Sequence, residues 1–167
     1  EGKRTVKGKR VDMYKLVKDA IGAKTKQEVD LVNEQWKDNS TINSEMSHYI
    51  IPIGDTSSSM SCDDNIPMYN SIGVSIRVSE KTHPAFRHRI LTFNTNPTWF
   101  QLSENMTFHQ KVKTMEGDNN WGRYTDFYKS LKMILDVIVE NNIPPCDIEK
   151  MVLAVFSDMQ INRSTEP

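Results

Sequence analysis

The stretch "MVLAVFSD", residues 151–158, constrains the chain most. Its apolar residues do not alternate with polar ones, which is the pattern of a strand covered on both faces. Such a strand belongs in a mainly parallel sheet flanked by helices. A second apolar run, Tyr49 to Ile53, is ended by a Gly54-Asp55 turn and reads as another strand. Pro52 removes a ladder donor from it, so a strand end or a bulge is expected there. Both runs lead into an acid, Asp55 and Asp158. In open α/β sheets the ligand site lies beyond the carboxyl ends of the strands, where both acids would fall.

The intervening sequence supplies the helices. Residues 10–22 carry Val11, Tyr14, Val17, Ala20 and Ile21 at helical spacing, with Gly22 as the stop. Thr25 is placed to cap a second helix with a Val29, Val32, Trp36 stripe, closed by Asn39. The pair reads as a helical hairpin beside the main domain, joined to it by the polar "STINSEMS". Residues 66–82 read as a helix on Met68, Ile72 and Ile76. "RHRILTF" and "PTWFQL" are β-rich runs joined by the turn sequence "NTNP". Phe108, Val112 and Met115 mark a short helix. "TDFYKSLKMILDVIVENN" marks a long one, with Phe127, Leu131, Ile134, Leu135 and Ile138 as its apolar face and "NNIPP" as its stop.

The expected fold is therefore α/β, doubly wound around a mainly parallel sheet, with an N-terminal helical segment. The expected organisation is a basic tail at 1–9, a helical segment at 10–46 and the α/β domain at 47–167. Open sheets of this kind usually have a fifth and a sixth strand. Only nine residues follow Asp158, so the sheet is read as cut short.

Composition narrows the function classes. A formal net charge of −1 over 167 residues gives no global field that selects nucleic acid or membrane. No run reaches the ~18 apolar residues of a membrane span. The two cysteines, Cys62 and Cys146, fit neither a disulfide framework nor a zinc spacing, and a reducing, cytoplasmic setting is the default.

One constellation carries chemistry. Asp55, Ser57 and Ser59 are alternate residues of one loop, so an extended backbone turns them the same way. An acid and two hydroxyls are hard oxygen donors, suited to Mg²⁺, Mn²⁺ or Ca²⁺. Neutral hydroxyls bind weakly, so further donors are needed. Asp158 is the natural second acid, and Thr125, before the long helix, is a third contributor. Each residue taken singly has a plainer reading: a turn acid for Asp55, an N-cap for Thr125, a cap or turn for Asp158.

"DTSSSM", "RYTDFY" and "FSDMQ" together resemble the von Willebrand factor type A domain, whose metal-ion-dependent adhesion site reads Asp-x-Ser-x-Ser, a distant Thr and a distant Asp. More narrowly, they resemble an uncharacterised intracellular family of plants, amoebae and large DNA viruses with "DxSxSM" and "SDMQ" motifs. The likeness covers about residues 47–162. It implies a divalent cation held by Ser57 and Ser59, with Thr125, Asp55 and Asp158 bound directly or through water. It implies a non-enzymatic protein-interaction module whose partner completes the metal site with an acidic residue. A viral member would work in the virion or the host cytoplasm. Two departures stand out: Gly54 where an apolar residue is usual, and Ser58 where Gly is usual.

Two other classes compete. A phosphatase of the haloacid-dehalogenase kind needs Asp-x-Asp-x-Thr, and position 57 is Ser. An RNA-associated role, by analogy with the Ro ribonucleoprotein, would use the helices at 10–39 as the end of a helical part; "EGKRTVKGKR" and "RHR" give positive charge but no nucleic-acid motif. The tryptophans read as packing residues, and the four histidines have no metal-protease spacing.

Overall fold

A computed structural model of the chain describes residues 11–39, 48–55, 58–93, 96–117 and 126–157. The basic tail, the polar connector, residues 56–57, the first two residues of "NTNP", residues 118–125 and residues 158–167 lie outside them. The described chain is mixed α/β. Its elements are α1 (Met13–Gly22), α2 (Lys26–Asp38), β1 (Ile50–Asp55), α3 (Ile66–Ser79), β2 (Arg89–Phe93), β3 (Trp99–Gln101), α4 (Phe108–Glu116), α5 (Phe127–Glu140), the single turn α6 (Pro145–Ile148) and β4 (Val152–Phe156). Two 3₁₀ turns, Ser58–Ser61 and Asp63–Asn65, link β1 to α3.

The four strands form one sheet in the order β3-β2-β1-β4. β1 pairs in parallel with both β2 and β4, and β3 is antiparallel to β2. The register aligns Ile51 with Leu153, Ile53 with Val155 and Gly54 with Phe156. Because strand side chains alternate, Ile51, Ile53, Leu153 and Val155 share one face. They join Leu91, Phe93, Phe86 and, from α5, Ile134 and Val137 in one apolar cluster. The opposite face, through Ile90, joins a second cluster built from α1, α2, α3 and α4. Helices thus cover both faces.

The N-terminal helices are part of that second cluster. Leu16, Val17, Ala20, Val32 and Trp36 pack with Met68, Ile72, Ile76, Val112 and Met115. α1 and α3 approach so closely that a Cβ on Gly73 would stand 2.5 Å from Met13 Cγ. α2 starts at the expected Thr25 cap, which the structure extends to a capping box: Glu28 N–H donates to Thr25 Oγ1 and Thr25 N–H donates to Glu28 Oε2.

Several sequence expectations are corrected. β1 runs on through Gly54 to Asp55, so the acid ends the strand and does not follow a turn. Pro52 lies inside this central strand, not at its end. Pairing with β2 begins only at Ile53, so the missing donor falls just before that ladder. The helix over 66–82 stops at Ser79, and Thr82 turns inward to donate its hydroxyl to Ile50 C=O. Gly22 ends α1 without a left-handed cap: no glycine of the described chain has a positive φ.

Two corrections concern exposure. β4 was expected to be covered on both faces, yet it pairs only with β1 among the described residues and is half-exposed, with Val152 at 56%. The apolar face of α5 is rotated from the expected one. Ser130, Ile134 and Val137 are buried, whereas Phe127, Leu131 and Leu135 are 44%, 38% and 56% exposed. An amphipathic period locates a stripe, but when a helix is apolar over more than half its turn, contact with the sheet decides which part is covered.

Candidate metal-binding site at the carboxyl edge of the sheet

β1 and β4 are parallel neighbours, so their carboxyl ends emerge side by side. One residue beyond the Gly54–Phe156 pair, Asp55 and Ser157 stand level on the same face. The Ser157 hydroxyl donates to Asp55 Oδ2. Asp55 is 1% exposed, and it is the one carboxylate among the buried polar residues of the described chain. A carboxylate taken out of water costs several kcal/mol, on the order of the desolvation of one ion, unless donors or a cation compensate it.

Helix α3 holds this edge in place. Ser71, 4% exposed, donates from Oγ to Phe156 C=O at 3.1 Å. Beside it, a Cβ at Gly54 would lie 3.3 Å from Ser75 Oγ and 3.6 Å from Ser71 Oγ. The small residues at positions 54, 71 and 75 let the helix backbone come down onto the strand. Ser75 Oγ is buried there without a hydrogen-bond partner among the described residues.

Ser59 is half-buried in the 3₁₀ turn that follows β1, and its C=O accepts from Cys62 N–H. The turn is anchored by Met60, which is 1% exposed within the α3 side of the core. Asp63, Asp64 and Asn65 then take positive φ values of 46°, 54° and 63° in succession. Asp and Asn tolerate this left-handed region better than other non-glycine residues. The three residues reverse the chain so that α3 can run back along the sheet.

Of the sequence-predicted donors, the structure describes Asp55 and Ser59. Ser57, Thr125 and Asp158 lie outside the described residues. Among the described residues no group of three or more His, Cys, Asp or Glu side chains is arranged to hold a metal. The described part of the predicted set, one buried carboxylate and a hydroxyl, is of the hard-oxygen type that Mg²⁺, Mn²⁺ and Ca²⁺ prefer. It suits soft metals poorly, so the donors present fit the cations expected.

Two residues were missed by sequence reasoning. Ser157 was passed over in favour of Asp158, because its bond to Asp55 depends on the register of β4 against β1. Asp126, not Thr125, caps α5: its Oδ1 accepts from Lys129 N–H at 3.0 Å. That backbone donor, together with Lys129 nearby, holds the Asp126 carboxyl below the usual carboxylate range. The capping role that competed for Thr125 therefore belongs to its neighbour.

A family described as a domain of unknown function, DUF7788, matches residues 49–167, which takes in β1 to β4 and leaves α1 and α2 ahead of it. The chain is 27% identical over 170 residues to uncharacterized protein L728 of Acanthamoeba polyphaga mimivirus. That alignment covers 98% of this chain, α1 and α2 included, and the chain spans 27% of the viral protein's length. No solved structure matches the chain. With the greater part of its length inside the matched region, the chain belongs to the DUF7788 family.

Proposed function

We propose that this chain is a divalent-metal-dependent protein-interaction module of the von Willebrand factor type A kind, non-enzymatic and working in the cytoplasm. The observation that carries the reading is the buried Asp55 carboxylate at the end of the central parallel strand, joined across to the end of β4 by Ser157. The β3-β2-β1-β4 order with an antiparallel β3 supports it. So does the position of the edge itself, where open α/β sheets bind ligands.

Asp55, Ser57, Ser59, Thr125 and Asp158 are the residues that would hold a Mg²⁺, Mn²⁺ or Ca²⁺ ion. The cation would offer a hard Lewis-acid position to a carboxylate of the partner protein. The chain's own part is to bury and orient the oxygen donors and to leave one side of the cation open. Gly54 departs from the type A pattern for a local reason: a larger residue would meet Ser75 and Ser71 of α3. This departure leaves the oxygen donors intact.

Calorimetric titration of Mg²⁺ and Mn²⁺ into the wild type and Asp55→Ala tests the reading. One saturable site in the wild type, lost in Asp55→Ala, is expected. Equal affinity in the two proteins, or none in either, would sink it. A generic phosphate-ester assay separates the enzymatic alternative: turnover that depends on Asp55 would favour a phosphatase.

A further inference from the structure

We infer that Ser157 is a positioning residue for Asp55, fixing the rotation of its carboxylate at the sheet edge. The role rests on the metal-binding reading proposed above and deepens it by one residue outside the predicted donor set.

The geometry forms a continuous chain of restraints. Parallel pairing of β1 with β4 through Gly54 and Phe156 sets the two strand ends level. Ser71 of α3 donates to Phe156 C=O at 3.1 Å and so pins the last residue of β4 against the helix. The next residue, Ser157, donates its hydroxyl to Asp55 Oδ2. A carboxylate has a free torsion about its terminal bond. A donor on one named oxygen, delivered from a strand that cannot slide, removes that freedom. Hydrogen-bond partners of ligating carboxylates orient them in this way, and their loss typically lowers metal affinity about 10- to 100-fold.

The bond also couples two segments that are 102 positions apart in sequence. The loop after β1 carries Ser57 and Ser59, and the segment after β4 carries Asp158. Ser157 ties the acid that heads the first to the residue that opens the second. A hydroxyl is required at position 157 on this account, and its shape matters less than its proton.

Threonine and valine are nearly isosteric and differ in that hydroxyl, so Ser157→Thr and Ser157→Val are the informative pair. Mn²⁺ affinity is measured by calorimetry, and the thermal midpoint is measured with and without Mn²⁺. Ser157→Thr is expected to keep wild-type affinity and the wild-type metal-induced rise in midpoint. Ser157→Val is expected to bind about tenfold more weakly and to lose most of that rise. A purely structural role would lower the metal-free midpoint of Ser157→Val while leaving its affinity unchanged, and that result overturns the inference. So does equal affinity of the two variants. If the wild type itself binds no cation, the metal reading falls first, and the role of Ser157 falls with it. Should Ser157→Val not fold, loss of affinity in Ser157→Thr would still overturn the inference.

Discussion

Arg77 sits over the ring of Trp36: its guanidinium carbon is 3.6 Å from the indole centroid, and its Nη2 donates to Trp36 C=O. Phe108 stacks on the same indole at 3.9 Å and 8° between planes. Glu80 closes the group, accepting from Trp36 Nε1, Lys111 Nζ and Arg77 Nη1 at 3.3, 2.8 and 3.4 Å. One helix end, α2, is thereby tied to α3 and α4. Arg77 and Lys111 are each 4% exposed, so two buried cations share one carboxylate. Burial holds the Arg77 guanidinium below its ordinary pKa, and Glu80 partly offsets this. Removing the shared anion leaves both cations uncompensated. Glu80→Ala is expected to cost about 3 kcal/mol in chemical unfolding, as breaking buried pairs does. A loss under about 0.5 kcal/mol, the range of surface substitutions, would show that the network is solvated in solution.

The same contacts make α1 and α2 part of the folding unit, although the family match begins only at residue 49. A fragment starting there would expose Met68, Ile72, Ile76, Val112 and Met115. Each buried apolar side chain contributes about 1.5–3 kcal/mol, against a typical total stability of about 5–15 kcal/mol. The 49–167 fragment is expected to lack a cooperative thermal transition by circular dichroism. A sharp transition near that of the full chain would contradict the packing described.

The rotated face of α5 separates two adjacent residues. Ile134 is 5% exposed and packed against the sheet, while Leu135 is 56% exposed. Ile134→Ala is expected to cost about 2–4 kcal/mol, and Leu135→Ala less than about 0.5 kcal/mol. The reverse order in denaturant unfolding would restore the face that the sequence pattern predicted.

Stability should fall on acidification through His83, at the amino-terminal end of the sheet. Burial, reinforced by His48, holds His83 below the ordinary histidine value. The ring stands 5.5 Å from that of His48, and its Nδ1 accepts from Ala85 N–H at 3.3 Å, which requires an unprotonated nitrogen. The folded chain therefore binds fewer protons than the unfolded chain. The stabilisation is complete above the unfolded pKa of about 6.5 and is lost as pH falls through the depressed folded value. The melting temperature is expected to drop between about pH 7 and pH 5, the range where histidine titrates. His83→Asn, which keeps a capping acceptor without titrating, should flatten that slope. An unchanged slope would assign the acid sensitivity elsewhere.

Much of this architecture was legible in the sequence, because it is written in local signals. Thr25 marked the cap of α2, and the apolar runs before Asp55 and Ser157 marked parallel strands. Features decided by long-range contact were not legible. Nothing near Pro52 says that β2 pairs only from Ile53. Nothing in α5 says which of Ile134 and Leu135 meets the sheet. The same limit applied to the site. Asp55 was found from its place after an apolar run, but its partner Ser157 depends on a register between strands 102 positions apart. Gly54 looked like a turn residue until α3 was seen lying on it.

Mn²⁺ broadening of amide resonances in a ¹H–¹⁵N spectrum locates a cation directly, because the paramagnetic effect falls steeply with distance. At substoichiometric Mn²⁺, broadening is predicted to centre on the amides of Asp55, Ser59 and Ser157 and to spare His48, His83 and Asp147 at the other end of the sheet. It should vanish in Asp55→Ala. Broadening centred on the histidine end, or persisting in Asp55→Ala, would contradict a metal site at the carboxyl edge.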